Sequence, residues 1–415
     1  MLPIQIGFFL AVRQIRRSTL WSTVLIIAVM TLTFLNLVVV SGILVGLIEG
    51  AQYAVRERYT SDVIITKLRE NNHIEDSQRV VRVAESLPNV EAISARYVAN
   101  GTIESDYQNK TNENDLPELV ATQIAGIDPQ KENAVSGIES LIVEGEYLNK
   151  DDFDKVVLGS MLLAKYLQID SEAFPALKEV EIGSKIRLTI GEVVREVEVK
   201  GITKSKVDEI DRRVFMVDSQ LRSIIGGSEY NVDEIAISLV DEKYADATKA
   251  ALLANEIDKV AKVQTYIDAQ PKFLLDIKKT FALLGAMISS IGLAVAAITI
   301  FIVIFINAIT RQKYIGIMKA IGINAKAIEI SYIFQSLFYA VIGSVIGLTL
   351  LYVVLVPYFA ANPINFPFSD GILVAPLGST MFRITLLVLT TVVAGFIPAR
   401  IVVKKNTLDS ILGRR

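Results

Sequence analysis

Few side chains in this sequence could do chemistry. It has no cysteine and a single histidine, His73, which excludes disulfides, thiolate nucleophiles, histidine metal clusters and most nucleophile–base pairs. Its clustered carboxylates, Asp151 with Asp152 and Asp208 with Glu209 and Asp211, fall among polar, loop-like residues and read as solvated surface. No G-x-x-x-x-G-K-[ST] loop cradles nucleotide phosphates, so the chain does not hydrolyse ATP by that route itself. The apolar runs read as free of the buried acids and bases that mark ion-coupled transport. No catalytic residue and no metal ligand is assigned, and energy for any transport has to come from a partner. The net charge of −3 gives no support to nucleic-acid binding.

One patterned stretch remains, TRQKYIGIMKAIG over residues 310–322. It joins two apolar runs and carries Arg311, Lys313 and Lys319, with Lys326 just beyond and Glu329 the only acid. Short loops rich in Lys and Arg stay on the cytoplasmic side of a membrane. As a helix, the stretch places Ile315, Met318 and Ile321 or Gly322 on one face, an apolar knob flanked by Arg311 and Lys319. Gly322 can take the left-handed conformation that ends a helix, and Asn324 can cap the next one.

The elements that position this stretch are membrane helices. Of the 415 residues 52% are hydrophobic, and the excess is concentrated in four blocks expected to span at 19–48, 281–309, 330–357 and 380–403. Each is long enough for a hydrocarbon core of ~30 Å. The first is about twice the length of a signal core, with no small-x-small cleavage site after it, and reads as a retained anchor. Residues 1–18 place Ile4, Phe8, Ala11, Val12 and Ile15 at near-helical spacing with Arg13, Arg16 and Arg17 behind them. They suit either a helix in the cytoplasmic interface, in contact with lipid headgroups, or an extension of the first span. The 310–329 loop and the basic tail 404–415 are assigned to the cytoplasm, and the proline-rich loop 358–379 to the outside. Gly42, Gly46 and Gly50 recur every four residues in the first span, and Gly343 and Gly347 form a similar pair in the third. Such stripes serve either packing within one chain or dimer contact.

Residues 51–279 have the composition of a folded polar domain and, lying between the first two spans, are placed outside. Strand, helix and strand are expected over 61–68, 75–87 and 92–98, and again over 232–240, 241–257 and 262–267. These two βαβ units, 51–100 and 228–279, can merge into one α+β layer. The segment 101–227 between them reads as a β-rich insert. It contains an exposed loop around Asn109-Lys110-Thr111, a strand leading into a helix over 156–169, and a β-hairpin over 185–200 turning at Gly191-Glu192.

Set side by side, these segments carry a resemblance. TRQKYIGIMKAIGINAKAIEISYIFQSLFYAVIGSVIGL (310–348) resembles the membrane domain of FtsX-like, MacB-type permeases of ABC transporters, whose loop reads roughly R-x-R/K-E-I-G-I-L-K-A-L-G-A. AVRQIRRSTLWSTVLIIAVM (11–30) and FIPARIVVKKNTLDSIL (396–412) are similar to that family's amphipathic start and terminal box. VVLGSMLLAKYLQI and GSKIRLTIGEVVREVEVKGI are similar to its periplasmic core domain. Tyr314 stands where the family has an acid, and Gln335 where it commonly has a glutamate.

The resemblance implies a non-catalytic bacterial inner-membrane subunit with four transmembrane helices and both termini cytoplasmic. An extracytoplasmic α+β domain, a porter-like layer with a β-rich insert, lies between helices 1 and 2. The subunit pairs with a second permease chain, identical or not, and is moved by two copies of a cytoplasmic ABC ATPase. The permease binds no cofactor directly, and ATP and Mg belong to the ATPase. The docking segment would comprise Arg311, Lys313, Tyr314, Ile315, Gly316, Met318, Lys319, Ala320 and Gly322, with Ile315, Met318 and Ala320 in contact. Two functions follow as alternatives. One is export of a drug, peptide or lipid-like substrate, with a periplasmic adaptor. The other is mechanotransmission to a partner such as a cell-wall hydrolase, without transport.

Overall fold

The computed structural model describes all residues except 1, 108–118, 168–174, 227–229, 271, 367–368, 372 and 406–415. The Asn109 loop and most of the basic tail, with Arg414 and Arg415, lie outside the described residues. In chain order, α1 (Leu2–Arg16) and α2 (Leu20–Val55, prolonged by a π-turn Arg56–Thr60) lead into β1 (Val63–Lys67), α3 (Ser77–Glu85), β2 (Val90–Glu104), β3 (Leu119–Ile127), α4 (Pro129–Ser136), β4 (Ile142–Gly145) and β5 (Lys155–Gly159). β6 (Lys185–Ile190), β7 (Val193–Thr203), α5 (Asp208–Asp211), β8 (Arg213–Val217), α6 (Asp218–Ile225), β9 (Glu234–Leu239), α7 (Ala245–Ala254) and β10 (Ala261–Thr265) follow. Next come α8 (Lys272–Thr310), α9 (Gln312–Ala320), α10 (Ala325–Thr349), α11 (Val356–Ala361) and α12 (Leu377–Val403). Two units result: a helical one of residues 1–48, 273–366 and 370–415, and a mixed one of residues 49–272 with 367–369.

In the mixed unit the strands run in the order β10-β1-β9-β2-β3-β8-β5-β7-β4, with β6 pairing both β2 and β7. The two βαβ units interleave: β9 lies antiparallel between β1 and β2, and β1 antiparallel between β9 and β10. This is the split arrangement in which each crossover is closed by a strand from the other repeat. Ile65, Val80, Ala84, Ile237, Leu252 and Val263 fill the core beneath α3 and α7. A second core, with Ile103, Leu158, Leu188, Val199 and Met216, lies in the β-rich part. β2 runs unbroken across residue 100, so the boundary expected there falls inside a strand. β6 and β7 form an antiparallel hairpin with Ile190 paired to Val193.

One local expectation fails. After β5 the chain makes two 3₁₀ turns, Ser160–Leu162 and Ala164–Tyr166, where a helix was expected. Leu163 between them is extended and bridges to Leu177, whose backbone bonds Leu162 and Ala164. That pairing takes up the groups a helix would need.

Among the described residues four helices are long and apolar enough to cross a membrane, over Leu20–Thr60, Leu274–Thr310, Ala325–Ala361 and Leu377–Val403. Met30, Phe34, Ile300, Tyr332, Tyr339 and Leu387 make the core of the helical unit, while Leu32, Ile291, Val353 and Leu389 face outward. Apolar side chains on both the inner and outer faces are what a lipid environment permits. α1 is a helix of its own, broken from α2 at Arg17–Thr19, and packs on α10 through Phe8 against Phe334 at 5.5 Å.

Candidate functional site

α9 is a short helix fastened at three points. Its C-terminus closes as a Schellman turn: Gly322 adopts φ +92°, its N–H bonds Lys319 O at 3.1 Å, and the N–H of Ile323 bonds Met318 O at 3.0 Å. Asn324 then caps α10, its side chain accepting from the N–H of Lys326 at 2.9 Å. The ammonium of Lys319 donates to the carbonyls of Val403 and Lys405 at 3.0 and 2.9 Å. A cation here satisfies carbonyls left open at the end of α12 and meets the negative end of its dipole. The third fastening is apolar. Ile315 is 2% exposed and joins the core with Ile328, Tyr332, Ala399, Val402 and Val403, and Met318 packs at its edge.

This alters the expected site. Ile315 and Gly316 are buried and Met318 is partly buried, so the first part of the stripe read as a knob completes the core of the helical unit, while its end at Ile321 and Gly322 stays exposed. An amphipathic helix turns its most apolar side toward available apolar surface, and the ends of α10 and α12 supply it. Arg311 and Lys319 are partly buried, Lys319 being spent on α12. Lys313, Ala320 and Gly322 are exposed. The open face instead presents Tyr314 (67% exposed), Ile317 (41%) and Ile321 (73%). Ile317 was missed, although its i, i+3 spacing from Tyr314 was readable, and Ile321, expected on the face of Ile315 and Met318, lies on the open side with it.

The glycine stripes meet neighbours within the chain. A Cβ on Gly343 would lie 2.5 Å from Met30 Cβ, and one on Gly347 2.3 Å from the ring of Phe34, so α10 and α2 touch nearly backbone to backbone. Gly42 faces the backbone of Val374 in the same way. Gly46 is buried and Gly50 partly buried.

In the mixed unit a buried network of two arginines and two glutamates ties several elements together. Arg96 (β2) forms a fork on Glu132 (α4) with both bonds at 2.8 Å, and a third donor reaches the carbonyl of Tyr59 at 2.9 Å. Arg213 (β8) forks onto Glu234 (β9) at 2.7 and 3.0 Å. Tyr59 donates its hydroxyl to Glu234 at 2.9 Å, with both guanidiniums over its ring at 5.1 and 5.3 Å. Burial pushes the Glu234 carboxyl up, but the charges and hydrogen bonds of Arg213, the charge of Arg96 and the Tyr59 hydroxyl outweigh it and hold the group down to about 2. Burial likewise opposes ionisation of Glu132, and Arg96 reverses it to leave the pKa below the usual range. Two positive and two negative charges balance, which is the condition for burying them. Nothing local in the sequence marks these residues, because the partners lie far apart in the chain.

Two expectations about charge are corrected. Asp211, read as solvated, is 3% exposed. Its carboxylate accepts from the N–H of Ser205 at 2.7 Å and of Lys206 at 2.8 Å, fastening a turn. Asp208 and Asp151 are exposed as expected, and no group of His, Asp and Glu suited to a metal occurs among the described residues. The apolar spans are not free of charge either: Arg383 is partly buried in α12.

Four helices long and apolar enough to cross a membrane, with a mixed sheet unit between the first two in the chain and a short helix fastened across the bundle end, give the frame of a multi-pass membrane protein. Residues 286–407 match the family described as FtsX-like permease C-terminal. Over 137 residues the chain is 27% identical to the probable syringafactin export ATP-binding/permease protein SyfD of Pseudomonas syringae pv. syringae (strain B728a). That match covers 32% of this chain and 19% of the relative's length. The periplasmic region of MacB from Actinobacillus actinomycetemcomitans is similar at 16% identity and TM-score 0.36, over 51% of this chain and 92% of that one. The extracellular domain of the noncanonic ABC-type transporter YknZ from Gram-positive bacteria is similar at 14% identity and TM-score 0.33, over 49% and 99%.

Proposed function

We propose that the chain is the membrane subunit of an exporter. It converts ATP hydrolysis by a separate cytoplasmic ATPase, present in two copies, into motion of its mixed unit and so expels a drug, peptide or lipid-like substrate. It works beside a second permease chain in a bacterial cytoplasmic membrane, with both termini and α9 inside. The ATPase holds ATP and Mg, and the permease is not catalytic. The observation that carries this reading is α9 itself. Its open face, Tyr314, Ile317 and Ile321 with Lys313 beside them, is backed by a face locked into the helix ends, so a push on it moves the bundle. The export function in the name of the Pseudomonas relative favours transport. Its single-chain naming as ATP-binding and permease fits a permease that needs such a partner.

The test is co-expression with an ABC ATPase encoded beside the gene, and a neighbourhood without one would count against the reading. Ile317→Asp with Ile321→Asp should abolish co-purification of the ATPase while the permease still inserts in the membrane. Undiminished co-purification would refute docking at α9.

Mechanotransmission without transport is the second reading. The Arg96–Glu132–Glu234–Arg213 network favours it, because it stiffens the mixed unit into a body able to carry force. An adaptor gene beside the ATPase supports export, and a hydrolase gene there supports this alternative.

A further inference from the structure

Arg383 lies six residues into α12, about 9 Å along the axis from Leu377 and about 30 Å from Val403, the end that α9 fastens. Ser41 lies about 31 Å from the start of α2 at Leu20. The two meet at the same depth, one hydrocarbon thickness from the α9 end. There the Nη2 of Arg383 donates to Ser41 Oγ at 2.7 Å. Ser41 is 7% exposed and backed by Gly285 of α8, where an added Cβ would lie 3.3 Å away. One residue on, the N–H of Val374 bonds the carbonyl of Gly42 at 3.3 Å, so the segment before α12 covers this corner.

An arginine at a membrane boundary normally extends its stem toward water. Here the bond to Ser41 turns it inward between two helices. Among the described side chains no carboxylate pairs with it, and Ser41 uses one of its five donors. Turned inward, the guanidinium gives up part of the water it would otherwise reach, and its planar fork matches a phosphate or carboxylate at headgroup level. Beside it Phe382 is 69% and Leu386 38% exposed, an apolar surface continuing down the helix.

We propose that Arg383, oriented by Ser41, binds the phosphate of an anionic lipid in the leaflet opposite α9, with the acyl chain along Phe382 and Leu386. This stands whether or not α9 docks an ATPase. The test is thermal unfolding of the full chain in neutral detergent micelles doped with phosphatidylglycerol or phosphatidylcholine, or with inorganic phosphate in the buffer. Phosphatidylglycerol should raise the Tm of the natural chain by several degrees, and Arg383→Gln should lose most of that rise. Phosphatidylcholine and inorganic phosphate should have much less effect. An equal rise in Arg383→Gln overturns the site, an equal rise with phosphatidylcholine overturns recognition of net charge, and a full rise with inorganic phosphate overturns the lipid. If Arg383→Gln fails to accumulate, Arg383→Lys keeps the charge without the fork and should roughly halve the rise. An unchanged rise there overturns the proposal.

Discussion

The ammonium of Lys319 lies 3.0 Å from the carbonyl oxygen of Val403, joining the last turn of α9 to the last turn of α12. A residue whose charge suggested a border for docking is thus a link inside the chain. Lys319→Met keeps the stem and removes the donor. It should cost about 1 kcal/mol, the worth of a cation at a helix C-terminus. The check is a lowered Tm in detergent, with Lys319→Arg restoring much of the loss.

The two faces of α9 should separate in experiment. Ile315→Ala removes buried methyl groups and should cost about 2–4 kcal/mol of stability. Ile317→Asp sits at a 41% exposed position and should leave the Tm almost unchanged while reducing recovery of the ATPase in pull-downs. The reverse pattern would place the docking face on the other side.

Packing of α10 on α2 leaves no room at Gly347. Gly347→Val would drive a branched side chain into the ring of Phe34, which is fully buried and cannot yield. A loss of about 1–3 kcal/mol is expected from such overpacking. It should appear as a lower Tm at every protein concentration, whereas a glycine serving only dimer contact would change the oligomer and spare the protomer.

Glu234 sets a pH dependence of definite sign. Its folded pKa of about 2 lies below the ordinary 4.5, so its contribution to stability is fully present above about pH 4.5 and is lost as pH falls toward 2. Glu234→Gln leaves Arg213 without its counter-ion and should destabilise the mixed unit by about 3–5 kcal/mol at neutral pH. Amide exchange in β9 and β2 should show the gap between the two proteins closing on acidification through that window. A gap that widens would contradict the assignment.

Much of this protein is legible in sequence because the signals are local. Apolar runs of membrane length, alternating strands, a hairpin turning at Gly191 and the pair of Gly322 and Asn324 each depend on residues a few positions apart, where backbone geometry and hydrophobic period act directly. The basic loop is likewise compositional. What only the tertiary structure decided concerns which distant surface each residue meets. Burial of Ile315 depends on Val402 and Val403, and the use of Lys319 on the same helix end. The fit at Gly347 depends on Phe34, and the four buried charges on elements from residue 59 to residue 234. The 310–322 stretch was visible as a patterned helix, but its periodicity specifies only that one face is apolar. Whether that face meets a partner or the chain's own core is a free-energy comparison between surfaces, and here the ends of α10 and α12 won.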